Sequence, residues 1–342
     1  QKGPLDIQCV SPPINSILNI PQILSFSIYS LHSVWVENTG RAFGVGYNGD
    51  GSMLATLPKG TFRVEHEIII NDQEGNKCML LSAMCGSTYT LYLVSGQNGS
   101  NNELVYNSSK SSTPLFLNLN GFNPIRLFGG NKRSAAIDNK GRIILITDKI
   151  LDSPTEPIQP FSLPNEAKAI SVSCCDDYIL ALDSEGQIYE NSYRDFNLIN
   201  FKKKVVEISG SFEHCFVVCE DGSVFCRGSN DFGQLGIGRK PAATQEFIEV
   251  LPLKKIQITS AYAGYSHSLF QTSDGMILAC GLNQYGELLL ESGPCEEKIY
   301  TPVETMIKDG AYFCIAGQCI SAVFNEYDPP PKTPNIKVFN NS

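Results

Sequence analysis

The sequence predicts an all-β protein: a seven-bladed β-propeller whose ring is closed by its N-terminal strands. Three observations predict it. A His-Gly-Gly-Asn-Gly spacing recurs with identical gaps at three places, weaker copies raise the units to seven at a mean step of about 48 residues, and the position four residues before the His slot is small in nearly every unit.

The strong copies are His32/Gly40/Gly46/Asn48/Gly51, His214/Gly222/Gly228/Asn230/Gly233 and His267/Gly275/Gly281/Asn283/Gly286. Between His and the second Gly, the stretches SVWVENTGRAFGVG, CFVVCEDGSVFCRG and SLFQTSDGMILACG each read strand, turn, strand, with Gly supplying the positive φ of a tight hairpin. Weaker copies place Tyr89, Arg133, Tyr178 and Ile320 in the His slot. A unit of this length holds a four-stranded antiparallel sheet, which cannot bury both faces alone. Radial stacking around an axis buries them, and seven units fall within the usual range for closure.

The small column is Ile28, Cys85, Gly129, Cys174, Gly210, Ala263 and Ala316, as expected where inner strands crowd toward an axis. It makes Cys85 and Cys174 small buried residues. The units lie near 24–70, 80–120, 125–165, 168–203, 205–252, 256–305 and 307–325, the last completed by 1–23, so that 1–327 forms one propeller domain. The spare extended pieces Leu5–Val10 and Ile14–Leu24 are expected to complete the seventh blade. Residues 328–342, with Pro329–Pro334, read as an extended Pro-rich tail.

Composition removes several function classes. With 42% hydrophobic residues in 342 the chain builds a sizeable core, while no apolar run reaches the ~18–20 residues of a membrane-spanning helix. A net charge of −9 argues against nucleic acid as a partner. Twelve cysteines are too sparse for a disulfide scaffold, and with four His and no Cys-x-x-Cys no metal site is expected. No secretory signal is visible, so an intracellular setting, cytoplasmic or nuclear, is expected.

Residues 208–238 and 261–289, ISGSFEHCFVVCEDGSVFCRGSNDFGQLGIG and AYAGYSHSLFQTSDGMILACGLNQYGELL, resemble repeats of the regulator of chromosome condensation family. Its motif runs roughly Ala-Gly-x-x-His-Ser/Thr, hairpin, Gly-x-Asn-x-x-Gly-Gln-Leu-Gly. The resemblance is strong over 205–303, good over 28–55 and degenerate over 80–200 and 307–325. It implies a seven-bladed propeller, in agreement with the count above. Ser211 departs from the motif's Gly, and only Gly233-Gln-Leu-Gly236 keeps the full closing turn.

The remaining motifs read as structure. Gly44-Val-Gly46-Tyr-Asn-Gly49 matches a dinucleotide fingerprint but lies on a recurring hairpin exit, without the βαβ unit that fingerprint needs. The repeat histidines occupy one structural slot on separate blades and are expected to hydrogen-bond backbone within or between blades. His214 and Cys215, adjacent in a strand, point to opposite faces and form no dyad. Asp176-Asp177, Glu220-Asp221 and Lys202-Lys203-Lys204 read as solvated surface. Trp35 aligns with Phe270 as a core position, and Gly96–Thr113 reads as a variable surface loop.

No catalytic residue, cofactor-binding residue or metal ligand is assigned, and no binding residue is singled out. The expected function is a non-enzymatic scaffold presenting propeller-face loops to protein partners. The resemblance implies a second reading, a guanine-nucleotide exchange factor for a small Ran-like GTPase. Exchange needs a surface that prefers the nucleotide-free GTPase rather than acid–base residues.

Overall fold

The computed structural model describes residues 23–325 except 30–31, 49–52, 55–56, 58, 97–99, 109–112, 148–154, 193–194, 309–310 and 318–320. Blade one is β1 (Ile23–Tyr29), β2 (His32–Glu37), β3 (Ala42–Tyr47) and β4 (Thr61–Ile68). Blade two is β5 (Leu80–Cys85), β6 (Tyr89–Val94), β7 (Glu103–Ser108) and β8 (Leu115–Phe116). Blade three has β9 (Pro124–Gly129), β10 (Arg133–Asp138) and β11 (Ile143–Thr147), with Phe161 bridging Ile143 where a fourth strand would run.

Blade four is β12 (Ala169–Cys174), β13 (Ile179–Asp183), β14 (Ile188–Ser192) and β15 (Asp195–Ile199). Blade five is β16 (Val205–Ser211), β17 (His214–Cys219), β18 (Val224–Ser229) and β19 (Ala243–Glu249). Blade six is β20 (Ile258–Ala263), β21 (His267–Thr272), β22 (Ile277–Asn283) and β23 (Cys295–Glu304). Among the described residues blade seven has two strands, β24 (Ala311–Ala316) and β25 (Ser321–Asn325). Each sheet is an antiparallel meander in chain order.

The first strand of each blade lies against the first strand of the next, and β24 also lies beside β1. The N-terminal pieces expected to complete blade seven lie outside the described residues, except Ile23 and Leu24, which belong to β1 of blade one. Hydrophobic layers fill the gaps between blades. Val34 and Val36 of blade one pack with Ala83, Cys85 and Tyr92 of blade two. Phe216 of blade five meets Phe270 of blade six edge to face at 5.1 Å. Fully burying side chains of this size contributes about 1.5–3 kcal/mol each, so stability resides between blades. Trp35 is half-buried, stacked with Phe26 and Phe43, and lies on the opposite face of blade one from Val34 and Val36.

The slot residue explains why the repeat is written as it is. His32 Nε2 lies 2.9 Å from Thr90 Oγ1, Tyr89 Oη 2.6 Å from Ser134 Oγ, and Tyr178 Oη donates to Cys215 Sγ at 3.2 Å. His214 Nε2 and His267 Nε2 lie 2.9 Å from Ser268 Oγ and Ser321 Oγ. In each case the slot residue of one blade reaches the residue just after the slot of the next. Backbone partners were expected for these histidines, and the structure corrects this to side-chain partners. Strand pairing explains it: His214 is flanked by Ser211 and Gly228 in the ladder, so the backbone there is engaged within the blade. Arg133 breaks the series because the residue opposite, Ile179, has no polar side-chain atom.

The Asn and the second Gly have equally specific tasks. Buried Asn230 accepts the Leu235 N–H and donates to the Gly238 and Pro241 carbonyls, tying the loop between β18 and β19 into one shape. Asn48 and Asn283 do the same in their own loops. Gly228 pairs with His214 at φ +113°, and a Cβ there would lie 2.0 Å from the Glu213 carbonyl oxygen.

The ring has two unlike ends. At one, every first strand carries a β-bulge whose extra residue sits eight before the slot: Leu24, Leu81, Ile125, Ile170, Val206, Thr259 and Tyr312. Leu24, Ile125, Ile170 and Val206 are exposed there. At the other end the turns between first and second strands emerge, joined by the loops that follow each third strand.

Two expectations fail at the level of local structure. The stretch read as a loop, Gly96–Thr113, contains β7, with Asn107 and Ser108 buried. Its polar side chains mask a strand that pairs with β6 from Tyr89↔Ser108 to Val94↔Glu103. Asp176 is not a solvated acid: only 9% of its side chain is exposed, and neighbouring turn residues hold it.

Candidate interaction face at the hairpin end

Among the described residues, the end where first and second strands join, called the hairpin end, is built in blades two to six from the two residues before the slot: Ser87-Thr88, Asn131-Lys132, Asp176-Asp177, Phe212-Glu213 and Tyr265-Ser266. Each turn is closed by its own backbone, as where the Gly264 N–H donates to the His267 carbonyl at 2.9 Å. Neighbouring turns are then stitched together. Ser87 N–H donates to Asn131 O, Asp176 N–H to Phe212 O, and Tyr265 N–H to Gly317 O.

Side chains extend the stitching. Asp176 Oδ2 accepts from Asn131 Nδ2 at 2.9 Å and pairs with Lys132 Nζ at 3.0 Å, while Oδ1 is buried with no hydrogen-bond partner. The hydrogen bond that Lys132 donates to Asp176 raises the pKa of Lys132, and the charges of Asp177 and Tyr265 add to this. Phe212 and Tyr265 stack with centroids 3.9 Å apart and planes 18° apart. Phe212 adopts φ +27°, a conformation that bulky residues avoid.

The loops of blades five and six continue this surface outward. Phe232 and Tyr285 stand at equivalent positions, eighteen residues past the slots at His214 and His267. Lys298 Nζ sits 4.8 Å from the Phe232 ring centroid and donates to Asp231 O, and the Arg239 guanidinium lies over Tyr300 at 5.1 Å. Aromatic residues and arginine are the types that carry binding energy at interfaces. None of these residues is an expected binding residue on the sequence alone. A signal was present: aromatic residues two before the slot in adjacent units, at 212 and 265.

The repeat histidines His32, His214 and His267 and eight of the nine described cysteines are buried elsewhere. Burial holds His214 and His267 down to about 3, and pushes the Cys85 and Cys174 thiols up to about 12. His214 and Cys215 turn to different neighbours, Ser268 and Tyr178. Gly44 and Gly46 lie within β3 rather than before a helix. Among the described residues no group of three or more metal-ligating side chains converges, and no helix is long and apolar enough to cross a membrane. Lys203 and Lys204 pair with Asp221 and Glu220, so the basic run is largely neutralised. A shallow groove of about 620 Å³ runs beside Asp72 and Phe116, and its carboxylate is already taken by the backbone of Glu74 and Asn76.

Comparison with known proteins identifies the repeat. The Regulator of chromosome condensation (RCC1) repeat matches residues 205–234 and 258–287, and a second form of it matches 221–271. The bovine secretion-regulating guanine nucleotide exchange factor is 33% identical over 93 residues, which cover 26% of this chain and 19% of that protein. The human X-linked retinitis pigmentosa GTPase regulator is 37% identical over 99 residues, 29% of this chain and 9% of that one. The matched stretch is thus less than a fifth of either relative.

Among solved structures, human WBSCR16 superimposes with a TM-score of 0.74 at 16% identity, covering 90% of this chain and 88% of that one. Prp20p of Saccharomyces cerevisiae, described with its binding to Gsp1p and histones, gives 0.67 at 15% identity over 88% and 82%. These likenesses show the fold.

Proposed function

We propose that this chain, a β-propeller of regulator of chromosome condensation repeats, is a non-enzymatic scaffold that binds a protein partner through its hairpin end over blades five and six. The observation that carries the reading is the strained, stacked Phe212–Tyr265 pair beside a turn-held carboxylate, while the repeat histidines are bonded across blade contacts. Protein partners are also what the related propellers imply, since Prp20p is described with Gsp1p and histones. The described cysteines are free, which fits a reducing, intracellular setting.

The second reading, exchange on a small GTPase, is favoured by the relative that is itself a guanine nucleotide exchange factor. Affinity capture from the cell extract, with and without EDTA, separates the two. A small GTPase enriched only when EDTA strips Mg²⁺ and nucleotide supports exchange. Partners indifferent to EDTA and lost from Tyr265→Ala support the scaffold. Capture unchanged by Tyr265→Ala removes the hairpin end as the binding face.

A further inference from the structure

The hairpin end carries more than an aromatic surface. Asp177 and Glu213 are exposed on adjacent turns, and Asp176, on the same turn as Asp177, has one oxygen unpaired and sealed from water. Against these carboxylates stands Lys132, whose side chain is 63% exposed and reaches Asp176 from the preceding turn. A flexible ammonium held at the surface is a weak, exchangeable partner for a carboxylate. A planar guanidinium presents two donors to the same group and a flat face to an aromatic ring.

We propose that the hairpin end is an arginine-recognition site, taking an arginine side chain presented by a basic segment of the protein partner. The guanidinium displaces Lys132 from Asp176 and takes its place on Oδ2, the oxygen that Lys132 reaches from the surface. Its face lies on the Phe212–Tyr265 stack, with Asp177 and Glu213 supplying negative field. The positive φ of Phe212 is the cost of holding the ring in place before the ligand arrives, which is a common use of local strain. Charge selects the partner: the site is acidic on three of these turn residues and basic on one. The inference rests on the reading that this end meets a protein.

The test uses the whole chain with para-fluorophenylalanine in place of Phe212, observed by fluorine NMR. The probes are N-acetyl-arginine methylamide and its neutral isostere, N-acetyl-citrulline methylamide. A saturable shift with arginine, about tenfold weaker with citrulline and about threefold weaker in Asp177→Asn, supports the site. Asp177 is exposed, so that variant retains the fold. Equal shifts with both probes, or none with arginine, overturn it.

Benzoylphenylalanine at Glu213 separates failure of the inference from failure of the face. Cross-links to partner segments rich in arginine support the proposal. Cross-links to segments without a basic residue overturn it and leave the face standing. Cross-links that form at Val206 on the bulge end, and not at Glu213, overturn both.

Discussion

His214 Nε2 lies 2.9 Å from Ser268 Oγ, and Ser268 donates its own hydroxyl hydrogen to the Gln234 carbonyl 2.8 Å away. The second bond fixes the first. With its hydrogen committed to Gln234, Ser268 accepts from His214, so the imidazole carries its proton on Nε2. Nδ1 is then an unpaired acceptor buried in the blade contact. Cys280 Sγ also lies 3.5 Å from the Gln234 oxygen, so the closing turn of blade five is fastened to blade six twice.

Ser268→Ala leaves a buried imidazole N–H without an acceptor and removes a donor from Gln234. We expect a loss of about 2 kcal/mol, within the range for orphaning a buried polar group. Ser321→Ala, at a half-buried site against His267, costs less, about 1 kcal/mol. Urea midpoints for the two variants at constant m-value give the comparison, and equal losses would show that burial does not set the cost.

The same histidines make the ring sensitive to acid. Burial lowers both from 6.5 to about 3, so between these values the unfolded chain takes up a proton that the folded chain refuses. Stability is therefore highest above 6.5 and declines as pH falls toward 3, by about 1.4 kcal/mol per pH unit for each histidine. His267→Gln keeps a donor for Ser321 and does not titrate. Between pH 7.5 and 5.0 it should lose about 2 kcal/mol less than the parent chain, measured by urea unfolding at each pH.

The fold was legible because each repeated position makes a joint that admits few residue types. His at the slot spans to the next blade, Asn organises a loop, and Gly228 fits where any Cβ strikes Glu213. The other half of each joint was not legible. Thr90, Ser134, Ser268 and Ser321 follow the slot directly, but their partners lie 45 to 58 residues earlier, and nothing within one repeat states that pairing. β7 was hidden because Asn107 and Ser108 are polar yet buried. The hairpin-end site escaped because Asp176 looks like an ordinary surface acid until Asn131 and Lys132 are seen to close on it.

Two glycines of blade five separate backbone strain from collision. Both adopt positive φ, +113° at Gly228 and +90° at Gly238, but an added Cβ meets the Glu213 backbone at the first and nothing within 4 Å at the second. Gly238→Ala should cost about 1–2 kcal/mol, the strain of the conformation alone. Gly228→Ala should cost more than about 3 kcal/mol, because the β17–β18 pairing must shift to admit the methyl group. Thermal unfolding of the two variants checks the order, and similar losses would assign the penalty to φ rather than to contact.

Phe212 is where stability and binding should part. Its φ of +27° costs about 1–3 kcal/mol, and its stack on Tyr265 returns about 0.5–1.5 kcal/mol. Phe212→Asn places a residue that tolerates positive φ in the same turn and removes the ring. The two changes offset, so the variant should unfold within about 1 kcal/mol of the parent while its capture of the protein partner falls at least about tenfold. Urea unfolding and quantitative pull-down on the same preparation give both values. A stability loss above about 2 kcal/mol would make the stack a structural joint, like the Phe216–Phe270 contact below it, rather than a binding element.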